Sequence, residues 1–246
     1  MPEPVVHLVL VPGLLCTDLL WQSQLKELAE LTDVRVTQQH LRHATLDAMA
    51  EAILTECPPK FAIAGSSMGG YLALLVKKKG GPRVTHLCLI DSTANINLEE
   101  QGERRQMLLK LAERGAFDTI KQQMMQTFLN ADNQNNTDLK GLVETMAETV
   151  GLERFIQQLK ALMHGGDLRG DLLNVDCPTL VLCGAEDMLF PLKLSREVAR
   201  GIHKSKLVTV KGAAHLLPLE RPKTVSELMR QWLTGVLPMD GTELTI

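Results

Sequence analysis

The sequence FAIAGSSMGG, residues 61–70, places a short apolar run directly in front of a G-x-S-x-G motif. The apolar run predicts a buried strand, and the stretch that follows Ser67 predicts a helix. A serine at such a strand-to-helix turn has its hydroxyl lifted above the edge of the sheet. Ser67 is therefore a candidate functional residue, although the motif alone also fits a buried serine that caps the helix.

The rest of the chain alternates short apolar runs with longer helical patterns. Six runs predict strands, at residues 5–11, 34–37, 61–64, 84–90, 179–183 and 207–210. Several are near-continuous runs of Val, Ile and Leu, which is typical of strands covered on both faces. Repeated strand–helix–strand order implies parallel pairing, so the predicted fold class is α/β, with a mostly parallel sheet of about six strands flanked by helices.

The region between the fourth and fifth predicted strands breaks this alternation. Four segments predict amphipathic helices, at residues 104–113, 119–129, 138–150 and 153–163, and the polar stretch 130–137 predicts a loop. Helices inserted at this point would lie over the strand ends as a cap. We therefore predict a core formed by residues 1–97 and 174–246 and a helical cap formed by residues 98–173, with the tail from residue 235 on the surface.

Composition narrows the classes of partner. The 246 residues are 45% hydrophobic and 22% charged, and the net charge is −3. Such a chain has no broad basic field for nucleic acid. No apolar run approaches the roughly 18 residues needed to span a bilayer, and residues 1–4 lack the pattern of a signal peptide. We expect a cytoplasmic protein without nucleic-acid or membrane partners, either a monomer or a homodimer.

Cysteine and histidine spacing gives no sign of a metal site. The five cysteines are scattered and include no C-x-x-C pair: Cys16, Cys57, Cys88, Cys177 and Cys183. They are typical of small core residues in a reducing compartment. His40 and His43 could imitate a metal-binding pair, but no carboxylate or cysteine cluster accompanies them. We expect no metal and no organic cofactor.

A serine hydroxyl is a poor nucleophile at neutral pH and needs a base, together with a group that orients the base. His215 follows the sixth predicted strand, and Asp187 directly follows the fifth. Residues that follow parallel strands gather at one edge of the sheet, so these side chains are expected to meet Ser67. Asp91, at the end of the fourth strand, is a rival for the acid.

An oxyanion hole would complete such a site. One backbone donor would be the N–H group of Met68, which follows Ser67 in the chain. The second would come from the loop after the first strand, and Leu14 is the expected donor. The alternative is that Pro12 and Gly13 form only a turn.

Residues 9–15, 65–70, 184–187 and 212–222 together resemble the α/β-hydrolase superfamily, in particular small capped bacterial esterases, enol-lactonases and carbon–carbon bond hydrolases. The resemblance covers nearly the whole chain. Members often carry histidine where this chain has Pro12, which leaves the backbone donor unaffected. The chain also resembles members whose first strand is the one usually counted third, so we expect a sheet smaller than the common eight strands.

The predicted function is a serine hydrolase that cleaves a small carboxylic ester, thioester or lactone through an acyl-enzyme, with Ser67, His215 and Asp187 as catalytic residues and the backbone N–H groups of Leu14 and Met68 as the oxyanion hole. The same triad could serve carbon–carbon bond hydrolysis, a lyase or a perhydrolase, because fold does not determine reaction. A binding module without catalysis and a metal-dependent hydrolase are further alternatives.

Apolar residues of the predicted cap either line an acyl pocket or pack between its helices. They are Met107, Phe117, Met124, Met125, Phe128, Met146, Phe155 and Met163. The sequence does not separate the two roles, because methionine and phenylalanine suit both environments.

Overall fold

One sheet of seven strands spans the part of the protein described by the computed structural model, which is residues 7–246. The strands are β1 (His7–Val11), β2 (Asp33–Val36), β3 (Phe61–Ser66), β4 (Val84–Ile90), β5 (Thr179–Gly184), β6 (Ser205–Val210) and β7 (Glu243–Thr245). They lie in the order β2-β1-β3-β4-β5-β6-β7, and every neighbouring pair is parallel. The carboxyl ends of all these strands therefore lie at the same edge of the sheet.

The predicted α/β class is confirmed, and each predicted strand has a counterpart in the sheet; positions 5 and 6 of the first one lie outside the described residues. The prediction of about six strands misses β7. This strand has three exposed residues and no apolar run that a pattern could detect. It lies at the edge and pairs only with β6, and Arg196 holds it through an ion pair with Glu243 at 2.8 Å.

Helices cover both faces of the sheet. Their bounds are α1 (Gln22–Leu28), α2 (Leu46–Glu56), α3 (Met68–Gly80), α4 (Glu99–Glu113), α5 (Phe117–Phe128), α6 (Thr137–Met163), α7 (Leu192–Gly201), α8 (Leu217–Glu220) and α9 (Pro222–Leu233). Alternate strand residues belong to different cores: Leu8 and Leu10 pack with α1 and α9, whereas Val9 and Val11 pack with α2 and α3. This burial on both faces explains why the strands are continuous apolar runs.

The helices α4, α5 and α6 lie between β4 and β5 in the chain. The span of α6 is interrupted at Gly151, whose φ of 76° and ψ of 166° are not helical, and the two helices on either side correspond to those predicted at 138–150 and 153–163. Apolar side chains of these helices, among them Ile120 and Phe155, join the core on the Leu8 face of the sheet. The division into core and cap at residues 98 and 173 stays a prediction.

The turn between β3 and α3 leaves no room for side chains at two of its glycines. A Cβ atom at Gly65 would lie 2.0 Å from the carbonyl oxygen of Gly69, and one at Gly69 would lie 2.1 Å from the carbonyl oxygen of Val11. Both distances are far below any Cβ contact that a folded protein tolerates. The two glycines therefore allow the turn to pack against its own helix and against β1.

Replacing Gly65 by alanine should destabilise the protein. In Gly65→Ala the new methyl group displaces the first turn of α3, which we expect to lower the free energy of unfolding by at least about 1–3 kcal/mol. Urea unfolding measures this change. The matched control is Gly141→Ala in α6, where a Cβ atom meets nothing within 4 Å and alanine should stabilise the helix by up to about 1 kcal/mol. Equal stability of Gly65→Ala and wild type would contradict the close packing.

Asp91 follows β4 and joins two loops at the carboxyl edge of the sheet. It is fully buried. Its Oδ1 accepts a hydrogen bond from the N–H group of Gly184 at 2.8 Å, and its Oδ2 accepts one from Leu217 at 3.3 Å. Burial raises the pKa of the Asp91 carboxyl well above its usual value, and the nearby negative charge of Asp187 raises it further.

This raised pKa makes the contribution of Asp91 to stability dependent on pH. The native state binds the proton more tightly than the unfolded chain, so the contribution is fully present below the unfolded pKa of about 4 and is lost as pH rises through the folded pKa. We expect the free energy of unfolding of wild type, relative to Asp91→Asn, to fall as pH rises above the unfolded pKa of about 4.

Urea unfolding of both proteins across this pH range measures the difference. The control is Glu153→Gln, which removes an exposed carboxyl of α6 and should show no comparable trend. A wild type that gains stability relative to Asp91→Asn with rising pH would contradict the raised pKa.

Candidate active site

Ser67 lies between β3 and α3, and its side chain is half-buried. Its φ of 56° is unusual for a residue other than glycine. Its N–H group donates to the carbonyl oxygen of Ile90 at 2.9 Å, and the hydroxyl of Ser92 donates to its carbonyl oxygen at 2.8 Å. The Ser67 hydroxyl forms no helix-capping hydrogen bond, so the capping alternative does not describe this serine.

The structure brings Ser67, His215 and Asp187 together in one hydrogen-bonded line. His215 Nε2 lies 2.8 Å from Ser67 Oγ, and His215 Nδ1 lies 2.8 Å from Asp187 Oδ2. A carboxylate beside Nδ1 favours the tautomer with its proton on that nitrogen, which leaves Nε2 able to accept the serine proton. The rival acid, Asp91, does not contact His215, because both of its oxygens accept bonds from backbone N–H groups.

Backbone hydrogen bonds hold the Asp187 carboxylate in position. Its Oδ1 accepts from the N–H groups of Leu189 at 2.8 Å and Phe190 at 3.0 Å. The neighbouring Glu186 accepts from the N–H groups of residues 212–213, at 3.2 and 2.9 Å. The loop after β5 is thereby tied to the loop after β6, which carries the histidine.

The helix α5 also contacts the histidine. The N–H groups of His215 and Leu216 both donate to the carbonyl oxygen of Phe128, at 3.0 and 3.2 Å. The aromatic rings of Phe128 and Phe190 lie 5.1 and 5.4 Å from the imidazole. The loop after β5 and the helix α5 therefore position His215 together.

The two residues whose N–H groups are expected to donate to an oxyanion lie in one pocket. Leu14 and Met68 both line the pocket that contains Ser67. The loop with Leu14 packs tightly on the serine, since a Cβ atom at Gly13 would lie 3.1 Å from Ser67 Cβ. Within residues 7–246, neither the N–H group of Leu14 nor that of Met68 donates to a protein acceptor, so both are free to bind an oxygen of a ligand.

A buried polar network joins α6 to the loop that carries Leu14. The N–H group of Leu15 donates to Gln158 Oε1, and Gln158 Nε2 donates to the carbonyl oxygen of His40, both at 3.3 Å. Burial lowers the pKa of His40 to about 4, so the ring is neutral at physiological pH, and its Nε2 lies 3.0 Å from the carbonyl oxygen of Cys16. His40 supports the loop and does not form a pair with His43.

The pocket at Ser67 has about 590 Å³ of space, counting its mouth. Residues of the core form one part of its wall, and apolar residues of α4, α5 and α6 form the other. Of the cap residues considered from the sequence, Met124 and Phe128 line the pocket. Phe155 packs inside the hydrophobic core, and Met107 is exposed to solvent. Some of these apolar residues therefore line the pocket, and others do not.

Two arginines of α4, Arg104 and Arg105, line the same pocket, and neither was predicted from the sequence. The sequence does carry a signal, because the buried residues of α4 are Arg105, Leu108 and Ala112, which places an arginine on the apolar stripe of the helix. Arg105 is 6% exposed and donates one hydrogen bond, to the carbonyl oxygen of Ile96. Burial lowers the pKa of Arg105 to about 10, which leaves the side chain charged at physiological pH.

Within residues 7–246, no three His, Cys, Asp or Glu side chains come together as metal ligands would. All five cysteines are free and buried, as expected of small core residues. In the same part of the chain, no helix combines the length and the apolar character needed to cross a bilayer.

Similar proteins include a pimeloyl-[acyl-carrier protein] methyl ester esterase from Neisseria meningitidis serogroup A. It is 26% identical over 198 residues, which are 78% of this chain and 63% of the length of that relative. Among solved structures, a thermophilic esterase from Thermogutta terrifontis, with malate bound, is 26% identical and superimposes with a TM-score of 0.85 over 95% of this chain and 92% of its own.

An enol-lactonase from Burkholderia xenovorans LB400 has the same fold, with a TM-score of 0.84 at 19% identity over 94% of this chain and 92% of its own. The family model described as "Alpha/beta hydrolase family" matches residues 8–228. This match covers most of the sheet as well as the positions of Ser67, Asp187 and His215. The chain therefore belongs to the alpha/beta hydrolase family.

Proposed function

We propose that this protein hydrolyses a small carboxylic ester through an acyl-enzyme intermediate on Ser67. One observation carries the proposal: Ser67 Oγ, His215 and Asp187 form a continuous hydrogen-bonded line, with both distances at 2.8 Å, beside a pocket. This is the arrangement in which a histidine can activate a serine hydroxyl.

In the first half of the reaction, Ser67 Oγ attacks the ester carbonyl carbon while its proton passes to His215 Nε2. The Asp187 carboxylate stabilises the cationic imidazole and keeps its orientation. The carbonyl oxygen becomes an oxyanion, and the N–H groups of Leu14 and Met68 donate to it; each such donor contributes about 3–4 kcal/mol in well-studied hydrolases.

Collapse of this intermediate breaks the bond between the carbonyl carbon and the alcohol oxygen, and His215 gives its proton to the leaving alcohol. In the second half, His215 takes a proton from water, the hydroxide attacks the acyl-enzyme, and the carboxylic acid leaves as Ser67 regains its proton. The N–H groups of Leu189 and Phe190, which donate to the other oxygen of Asp187, hold the carboxylate in position through both halves.

The comparisons support an ester as the substrate. The Neisseria relative is named as a methyl ester esterase, and the Thermogutta structure is that of an esterase, each at 26% identity. The pocket supports a small substrate, because Met124, Phe128 and other apolar residues of α4, α5 and α6 line it beside Ser67.

Replacing Ser67 should abolish hydrolysis. We expect Ser67→Ala to lose at least about a thousandfold in kcat/KM on p-nitrophenyl acetate and butyrate, since nothing else can form the acyl-enzyme. The control is Ser66→Ala, which removes the neighbouring hydroxyl, a buried group without a hydrogen-bond partner, and should retain activity. A fluorophosphonate probe should label wild type and Ser66→Ala but not Ser67→Ala.

Residual ester hydrolysis near the wild-type rate in Ser67→Ala would contradict the proposal. The same enzymes are to be assayed on a dienoate and an enol-lactone, because the triad can also serve carbon–carbon bond hydrolysis and related reactions. Activity confined to those substrates would replace esterase by that reaction and leave the role of Ser67 intact.

Replacing Asp187 and replacing Asp91 should have very different effects on kcat. We expect Asp187→Asn to lower kcat on a neutral ester by at least about a thousandfold, since asparagine favours the wrong tautomer of His215. Asp91→Asn serves as the matched change, and because Asp91 does not contact the imidazole, its loss should stay below about tenfold. The kcat values of the two variants, measured at one pH, decide between the two acids, and a greater loss in Asp91→Asn would assign it the orienting role.

A further inference from the structure

Arg105 is a buried cation without an anionic partner. Its side chain is 6% exposed, and among residues 7–246 its only hydrogen bond is to the carbonyl oxygen of Ile96. A guanidinium group has five N–H donors, so most of them have no protein acceptor. Arginine is almost never fully buried unless it is paired. The burial of Arg105 without an anionic partner is therefore unusual.

Arg105 is one of the residues that line the pocket. Arg105 and Ser67 line the same pocket, so a substrate bound at the serine comes within reach of both. Arg104 lines this pocket as well, is half-buried, and forms no hydrogen bond or ion pair with the described residues. It lies near enough to the Asp187 carboxylate for that charge to oppose the lowering of its pKa by burial. Two cations from consecutive positions of α4 thus line the pocket that contains Ser67, although an apolar wall would suffice for a neutral ester.

The acidic residues nearby are already engaged. Asp187 is bound to His215 and to two backbone N–H groups, and both oxygens of Asp91 accept bonds from backbone N–H groups. Neither carboxylate forms an ion pair with Arg104 or Arg105. The positive charge in the pocket is therefore not neutralised by the described part of the protein, and a charged group left unpaired in a buried site is costly.

We propose that the substrate is an ester that also carries a carboxylate, and that Arg105, assisted by Arg104, binds this carboxylate while Ser67 attacks the ester. The proposal rests on the proposed function and names the substrate class of the same site. A planar carboxylate matches the paired N–H donors of a guanidinium in a bidentate arrangement. Of the two arginines, Arg105 is the better anchor, because it lies on the buried face of α4 and donates a hydrogen bond to the carbonyl oxygen of Ile96.

Matched pairs of esters test this substrate class. Mono-p-nitrophenyl adipate and p-nitrophenyl hexanoate have the same chain length and leaving group and differ by one carboxylate on the acyl side. For the leaving-group side, 4-acetoxybenzoate and 4-acetoxybenzamide form the second pair. We expect wild type to prefer the carboxylate-bearing member of at least one pair in kcat/KM by at least about tenfold, the factor that a charge-assisted hydrogen bond supplies.

Substitution of the arginines should remove this preference. We expect Arg105→Gln to reduce the ratio of kcat/KM between the two members of the preferred pair by at least about tenfold, Arg104→Gln to reduce it less, and Arg105→Lys to restore part of it. The ratio is measured on one enzyme preparation, so a loss of folded protein cancels. The control is Lys110→Gln, which removes an exposed cation from the same helix and should leave the ratio unchanged.

A purely structural role for Arg105, such as holding Ile96 in place, would lower activity on both members of a pair equally and leave the ratio as in wild type. That result, or a wild type that prefers the neutral member of both pairs, would overturn the proposal. A wild type that prefers the neutral members overturns the proposal by itself, so this outcome does not depend on the folding of any variant.

A binding measurement without turnover tests the carboxylate site separately from the catalytic role of Ser67. Calorimetric titration of Ser67→Ala with monomethyl adipate and with dimethyl adipate compares a carboxylate-bearing ester and its neutral counterpart without turnover. We expect tighter binding of the monomethyl ester by at least about tenfold. If Ser67→Ala retained wild-type activity while this preference held, the catalytic assignment would fail and the carboxylate site would stand; equal binding would overturn the carboxylate site alone.

Discussion

The active site depends on the steric fit of the turn between β3 and α3. Gly65 and Gly69 pack against backbone atoms so closely that a Cβ atom at either position would overlap a carbonyl oxygen. This packing fixes where α3 begins, and it holds Ser67 at a positive φ with its hydroxyl directed to His215. Because Gly69 lies against the carbonyl oxygen of Val11, the same fit brings the loop after β1 beside the serine.

The loops around this turn are held by carboxylates that accept bonds from backbone N–H groups. Glu186 links the loop that carries Asp187 to the loop that carries His215. Asp91, which directly follows β4, links the same two loops. Glu220 accepts from the N–H groups of Asn130 and Ala214, at 2.6 and 2.7 Å, and thereby connects the histidine loop to the segment that follows α5.

Much of the site could be predicted because its members carry local signals. Ser67 sits in a motif between a strand and a helix, and Asp187 and His215 each follow an apolar run, so parallel order alone places them at one edge. The edge strand β7 was not predictable, since three exposed residues carry no pattern. Arg105 was missed for a different reason: an arginine in an amphipathic helix is normally assigned to the solvent face, and only the packing of α4 shows that this one is buried.

The sequence by itself determined the α/β class, the parallel order and the residues that could form the triad, because apolar periodicity and glycine sterics act over a few neighbouring residues. The tertiary structure alone decided which acid meets the histidine, since Asp187 and Asp91 follow adjacent strands and differ only in what their oxygens contact. The tertiary structure also decided which apolar residues of α4, α5 and α6 face the pocket. Contacts between segments far apart in the chain set both outcomes, and no local pattern encodes such contacts.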